Sequence, residues 1–131
     1  MSASFRETVD AICQKDGRFL PEAYVFLIEA LDVTVKEVHK ANPKHGRHVT
    51  GQELMGGLRD HALAEFGPMA YTVFAEWGVR TTLDFGQIVF NLIAAGRLGK
   101  TRRDSLEDFR DVFSFEEAFL EPFEPTKTFD A

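Results

Sequence analysis

Between residues 5 and 96 apolar side chains recur at helical spacing, and each run is bounded by residues that start or stop a helix. Ser4 with Glu7 has the form of a capping box, in which two side chains satisfy backbone N–H groups at a helix start. Phe5, Val9, Ile12 and Cys13 follow on one face, and Gly17 ends the run. Pro21 suits a first helical position, and Tyr24, Leu27, Ile28 and Leu31 continue on one stripe. Val25 and Phe26 widen it, which predicts a helix buried on most sides. The β-branched run Val33-Thr34-Val35 is expected to interrupt this helix before it resumes to Lys40, and Asn42-Pro43 stops it.

A polar loop over Asn42–Val49 leads to a second capping box, Thr50 with Glu53, which opens a helix with Leu54, Leu58, Ala62 and Phe66 inward. Gly56-Gly57 inside it costs roughly 1 kcal/mol per glycine relative to alanine, which predicts another backbone passing close by. Gly67-Pro68 separates it from a helix with Met69, Val73, Phe74 and Trp77 inward, and Gly78 suits a left-handed helix end. The strongest period follows: Thr81 with Asp84 resembles a capping pair, and Phe85, Ile88, Val89, Leu92 and Ile93 form the predicted centre of the core. Gly96 ends this helix.

Beyond Gly96 two readings stay open. Leu98–Thr101 and Phe109–Phe115 fit two short strands around a charged turn, or Ser105 with Asp108 caps a short helix carrying Phe109, Val112 and Phe113. The expected fold is therefore mainly α, a compact bundle of about five helices. A small β-hairpin near residues 97–115 would make it winged-helix-like, because Met69–Trp77 and Thr82–Ala95 form a helix-turn-helix pair ahead of it. Residues 1–121 are expected to be one globular domain and 122–131 a flexible C-terminal tail.

Composition agrees with a soluble globular chain: 131 residues, 44% hydrophobic and 27% charged. No apolar run approaches the roughly 20 residues that span a bilayer, and the N-terminus carries no apolar signal region, so a cytoplasmic home is the expectation. The single cysteine excludes an internal disulfide. The net charge of −6 is concentrated at the C-terminal end, where residues 104–131 hold 9 acidic and 2 basic side chains. The same stretch contains 6 of the 13 phenylalanines, an unusual pairing for a disordered acidic tail, so at least part of it is expected to dock. Two basic clusters oppose it: Lys36, Lys40, Lys44 and Arg47, and Arg97, Lys100, Arg102 and Arg103.

The stretches Gly46-Arg-His-Val-Thr-Gly-Gln-Glu-Leu54, Phe66-Gly-Pro-Met-Ala70, Glu76-Trp-Gly78 and Asp84-Phe-Gly-Gln-Ile-Val-Phe-Asn-Leu-Ile93, with Glu107-Asp-Phe-Arg-Asp-Val-Phe-Ser-Phe-Glu-Glu-Ala-Phe119, carry a resemblance. Over roughly residues 17–119 the chain resembles a family of small uncharacterised bacterial proteins, a domain of unknown function met chiefly in planctomycetes and verrucomicrobia. The resemblance implies a bacterial cytosolic protein and carries over no activity, cofactor or catalytic residue.

Candidate chemistry is sparse. His39, His45, His48 and His61 share no helix face at zinc-ligand spacing and lie in a basic stretch, so no metal is expected. Cys13 falls on an apolar stripe, which suits a buried small hydrophobe better than a nucleophile. The acidic pairs Asp60/Glu65, Asp108/Asp111 and Glu116/Glu117 show no asymmetry that would separate an acid from a base. The triplet Asp84-Phe-Gly has none of the other kinase elements around it. The presumed recognition helix Thr82–Ala95 contains no lysine or arginine, which argues against DNA reading. The favoured expectation is a non-enzymatic protein-interaction or regulatory module without catalytic residues or cofactor, contacting a protein partner or a second copy rather than nucleic acid or membrane. Phe109, Phe113, Phe115, Phe119 and Phe123 are its candidate partner contacts, and Arg97, Lys100, Arg102 and Arg103 candidate anion contacts. The alternatives are a winged-helix-like nucleic-acid binder and an enzyme with a site around residues 39–65.

Overall fold

The computed structural model describes residues 4–45, 48–99 and 105–125. Five α-helices account for most of it: α1 (Phe5–Lys15), α2 (Pro21–Ala41), α3 (Gly51–Phe66), α4 (Ala70–Glu76) and α5 (Thr82–Ala94). Each start has a local cause. Ser4 accepts from the Glu7 amide, Pro21 occupies the first turn of α2, and Thr50/Glu53 and Thr81/Asp84 close reciprocal capping boxes. Among the described residues no helix is long and apolar enough to cross a membrane.

α2 is one continuous helix, contrary to the interruption expected at Val33-Thr34-Val35. The Thr34 hydroxyl donates to the Ala30 carbonyl at 2.7 Å, so its polar group is satisfied within the helix, and Thr34 and Val35 are buried against neighbours. Tertiary packing thus overrides a weak propensity. Thr34 also explains one of the two glycines of α3. A Cβ on Gly57 would collide with the Thr34 side chain, whereas one on Gly56 would meet open space, so the close approach is by a side chain and at one position only.

α5 is the hub. Thr82, Phe85, Gly86, Ile88, Val89 and Leu92 are buried, and Ile93 lies half-buried beside them. Phe74 of α4 is fully buried and meets Phe85 edge-on at 5.2 Å. Met69, expected inward, is 55% exposed because Gly67–Met69 forms a separate 3-10 turn before α4 begins. Gly78 adopts φ +86°, and a Cβ there would strike the Arg18 carbonyl, so the α1–α2 connection can run against the end of α4. The Leu20 amide donates to the Trp77 carbonyl at the same junction.

The hairpin expected near residues 97–115 is absent from the described part of that range. Residues 97–99 leave α5 after a glycine turn, residues 100–104 lie outside the described residues, and Leu106–Phe109 is a 3-10 turn. The backbone groups that a strand ladder would need are already engaged. Ser105 and Asp108 cap each other's amides, and the Thr82 hydroxyl donates to the Phe109 carbonyl at 2.6 Å while accepting from the Val112 amide at 3.2 Å. Among the described residues there is no strand and so no wing; the fold is a mainly α bundle, and the winged-helix variant gains no support.

The acidic aromatic segment folds back onto the helices. Phe109 packs across Gly86, where a Cβ would come within 2.6 Å of its own Cβ. Phe115 and Phe119 are buried against Phe74 at 5.7 and 5.3 Å, on a π-helical turn over Glu116–Leu120. Phe123 closes the described chain in a 3-10 turn, Glu121–Phe123.

Candidate functional site

Two helical faces of like spacing make a large concavity. α1 contributes Phe5, Arg6, Val9 and Asp10, at i, i+1, i+4 and i+5, and α2 contributes Pro21, Glu22, Val25, Phe26 and Glu29 in the same rhythm. The far wall is Glu65 and Phe66 at the end of α3 and Trp77 at the end of α4. The groove has a volume of about 830 Å³, within the range of ligand-binding clefts.

Its floor is aromatic. Phe26 lies 5.4 Å from Phe66 and 5.6 Å from Trp77, and Phe66 meets Trp77 edge-on at 5.7 Å. Phe26 is supported from beneath by Phe74 and by the His61 ring, stacked at 5.2 Å. Val25 stands 44% exposed, so α2 is open along this face rather than buried on most sides.

The rim is acidic. Asp10, Glu22, Glu29 and Glu65 line the groove with a single cation, Arg6. Glu29 and Glu65 straddle His61, whose Nε2 is 3.8 and 3.9 Å from their carboxylates and has no hydrogen-bond partner among the described residues. The lining contains no hydroxyl, thiol, imidazole or amine group.

A second polar cluster knits the helices together without forming a cavity. Asp16, capping α1, accepts from Arg18 Nε at 2.9 Å and Nη2 at 2.6 Å, and from Asn91 Nδ2 at 3.1 Å. Asn91 Nδ2 also donates to the hydroxyl of the buried Tyr24 at 3.0 Å. Hydrogen bonds from Arg18 hold the Asp16 carboxyl well below the usual carboxylate range. Burial pushes the Tyr24 phenol up, only partly offset by the hydrogen bond from Asn91. Cys13 nearby is half-buried, its thiol directed at the Phe19 carbonyl at 3.6 Å. Burial, then the negative charges of Asp10, Asp16 and Glu22, raise its pKa, the opposite of what a nucleophilic thiolate requires.

The residues singled out from sequence are scattered. Phe109, Phe115 and Phe119 are core residues, with 5%, 3% and 0% exposure. Phe113 is half-buried under the Arg59 guanidinium at 6.0 Å, and Phe123 is 44% exposed. Arg97 lies over the Phe5 ring at 5.5 Å, and Lys100, Arg102 and Arg103 fall outside the described residues. Around residues 39–65 there is a cavity of about 90 Å³ beside His48, Thr50 and Asp108, otherwise apolar and below the usual size of a ligand-binding cleft. Among the described residues no three His, Cys, Asp or Glu side chains converge as metal ligands.

The sequence reading missed the groove. The signal available was Val25 flanked by Glu22 and Glu29 at i−3 and i+4, an apolar residue set in the polar face of α2. Comparison with protein-family models, curated proteins and solved structures finds no match to this chain.

Proposed function

We propose that this protein is a non-enzymatic binding module of the bacterial cytosol that holds a partner in the groove between α1 and α2. The observation that carries this reading is the groove itself, lined by the half-buried rings of Phe66 and Trp77 and the 44%-exposed Val25 over the buried ring of Phe26. Surface of this kind is stabilised by a partner that removes it from water. The polar groups around it are carboxylates and a guanidinium, which recognise charge on a partner.

The nucleic-acid alternative gains nothing from the fold. No residue of α5 from Thr82 to Ile93 is exposed, so this helix offers no face to a major groove. The acidic rim would repel phosphate in the same way.

Trp77 is the single tryptophan and sits in the floor, so its emission reports occupancy. Titration with the neutral apolar dye Nile red is expected to saturate at one site and to change Trp77 fluorescence, and Val25→Arg should abolish both effects. Dye binding that ignores Val25→Arg, or no saturable binding, would contradict the reading.

A further inference from the structure

We propose that the occupant of the groove is a basic amphipathic helix of a partner protein, with apolar side chains on the aromatic floor and lysine or arginine side chains on the rim. The proposal rests on the binding reading above and adds the chemistry of the ligand.

Charge complementarity sets the sign. Asp10, Glu22, Glu29 and Glu65 stand around the floor with Arg6 as the only cation of the lining, and among the described residues Asp10 and Glu22 have no basic partner within 4.0 Å. The carboxylates of Glu29 and Glu65 face only the imidazole of His61, at 3.8 and 3.9 Å. An apolar ligand alone would leave this negative rim partly desolvated and unmatched, whereas lysine or arginine side chains at the edge of the ligand pair with it.

The floor is a packed aromatic surface and not a cage of facing rings: Phe26, Phe66 and Trp77 pack on one another at centroid separations of 5.4 to 5.7 Å. The half-buried Phe66 and Trp77 with the exposed Val25 offer apolar surface to aliphatic or aromatic side chains, in a groove of about 830 Å³.

Backbone accounting selects the helix. The described residues contain no strand, so no sheet edge is available to pair with an extended peptide. A helix lying here satisfies its own backbone and presents apolar and basic side chains at the i, i+3, i+4 spacing of a groove ligand.

The test uses two synthetic helical peptides of equal length, one of leucine and lysine and one of leucine and glutamate, titrated into the full chain with Trp77 emission as the readout. The leucine–lysine peptide is expected to bind at one site, and more weakly as salt is raised. The triple variant Glu22→Gln, Glu29→Gln, Glu65→Gln should weaken it by about tenfold or more. A control with the same change in net charge away from the groove, Glu117→Gln, Glu121→Gln, Glu124→Gln, should leave affinity within about twofold. Equal binding of the two peptides, or equal losses in the two triple variants, would overturn the basic-helix proposal while leaving an apolar groove in place. Binding of neither peptide would overturn both readings. Self-association of the chain alone that disappears in Val25→Arg would assign the groove to a second copy and overturn the proposal as well.

Discussion

Thr82 shows how one side chain can redirect a whole segment. It is 1% exposed, and its hydroxyl donates to the Phe109 carbonyl and accepts from the Val112 amide, two backbone groups 27 and 30 positions along the chain from Thr82. Thr82→Val keeps the shape and removes both bonds, leaving a buried carbonyl and amide unsatisfied. Chemical denaturation should register a loss of about 1–3 kcal/mol, and Thr82→Ser should recover most of it. Asp16 makes a different kind of prediction. Its folded pKa lies below the ordinary value, so its contribution is fully present above about pH 4 and is lost as the pH falls through that value toward the folded pKa. Arg18 is largely solvent-facing, so Asp16→Asn should cost no more than about 1 kcal/mol near neutral pH. The gap between wild type and variant should close when urea unfolding is repeated near pH 3. Neither role is legible in the sequence, because the partners of Thr82 and Asp16 come from distant parts of the chain.

At the scale of elements, the sequence was most readable where the decisive interactions are local. Thr50 with Glu53 and Thr81 with Asp84 are capping boxes in sequence and in structure, and Gly78 and Gly96 stop their helices with positive φ. The stripe from Phe85 to Leu92 is the buried centre it was expected to be, so Leu92→Ala should cost roughly 2–5 kcal/mol in calorimetry or denaturant unfolding. Legibility fails where a neighbour decides. Val33-Thr34-Val35 has the propensity of a break, yet contact with α3 across Gly57 keeps α2 whole. Ser105 with Asp108 was legible as a cap, but the choice between a turn and a hairpin after it was settled by Thr82 on α5. The groove was hidden for the same reason. Val25 and Phe26 look alike in sequence, and only the packing of Phe66, Phe74 and Trp77 around Phe26 shows that one forms the floor and the other the open edge.

Taken as one molecule, the chain places the described part of its acidic segment against the helices with the rings of Phe109, Phe115 and Phe119 inward. Phe109, Phe115 and Phe119 belong to the common core, so residues 109–119 are part of the folded body. A truncation after Leu106 removes these three buried rings, each worth on the order of 1.5–3 kcal/mol. Thermal unfolding of that truncated chain should begin at a markedly lower temperature and be accompanied by aggregation of the newly bared apolar surface. With those aromatics in the core, the groove of α1 and α2 is the recognition surface we propose. The most direct measurement is a map of backbone amide chemical shifts on adding the leucine–lysine helical peptide to the full chain. The account predicts that the largest changes fall on Val9, Val25, Phe26, Glu29, Phe66 and Trp77. Changes centred instead on Leu120 and Phe123, or none at saturating peptide, would contradict it.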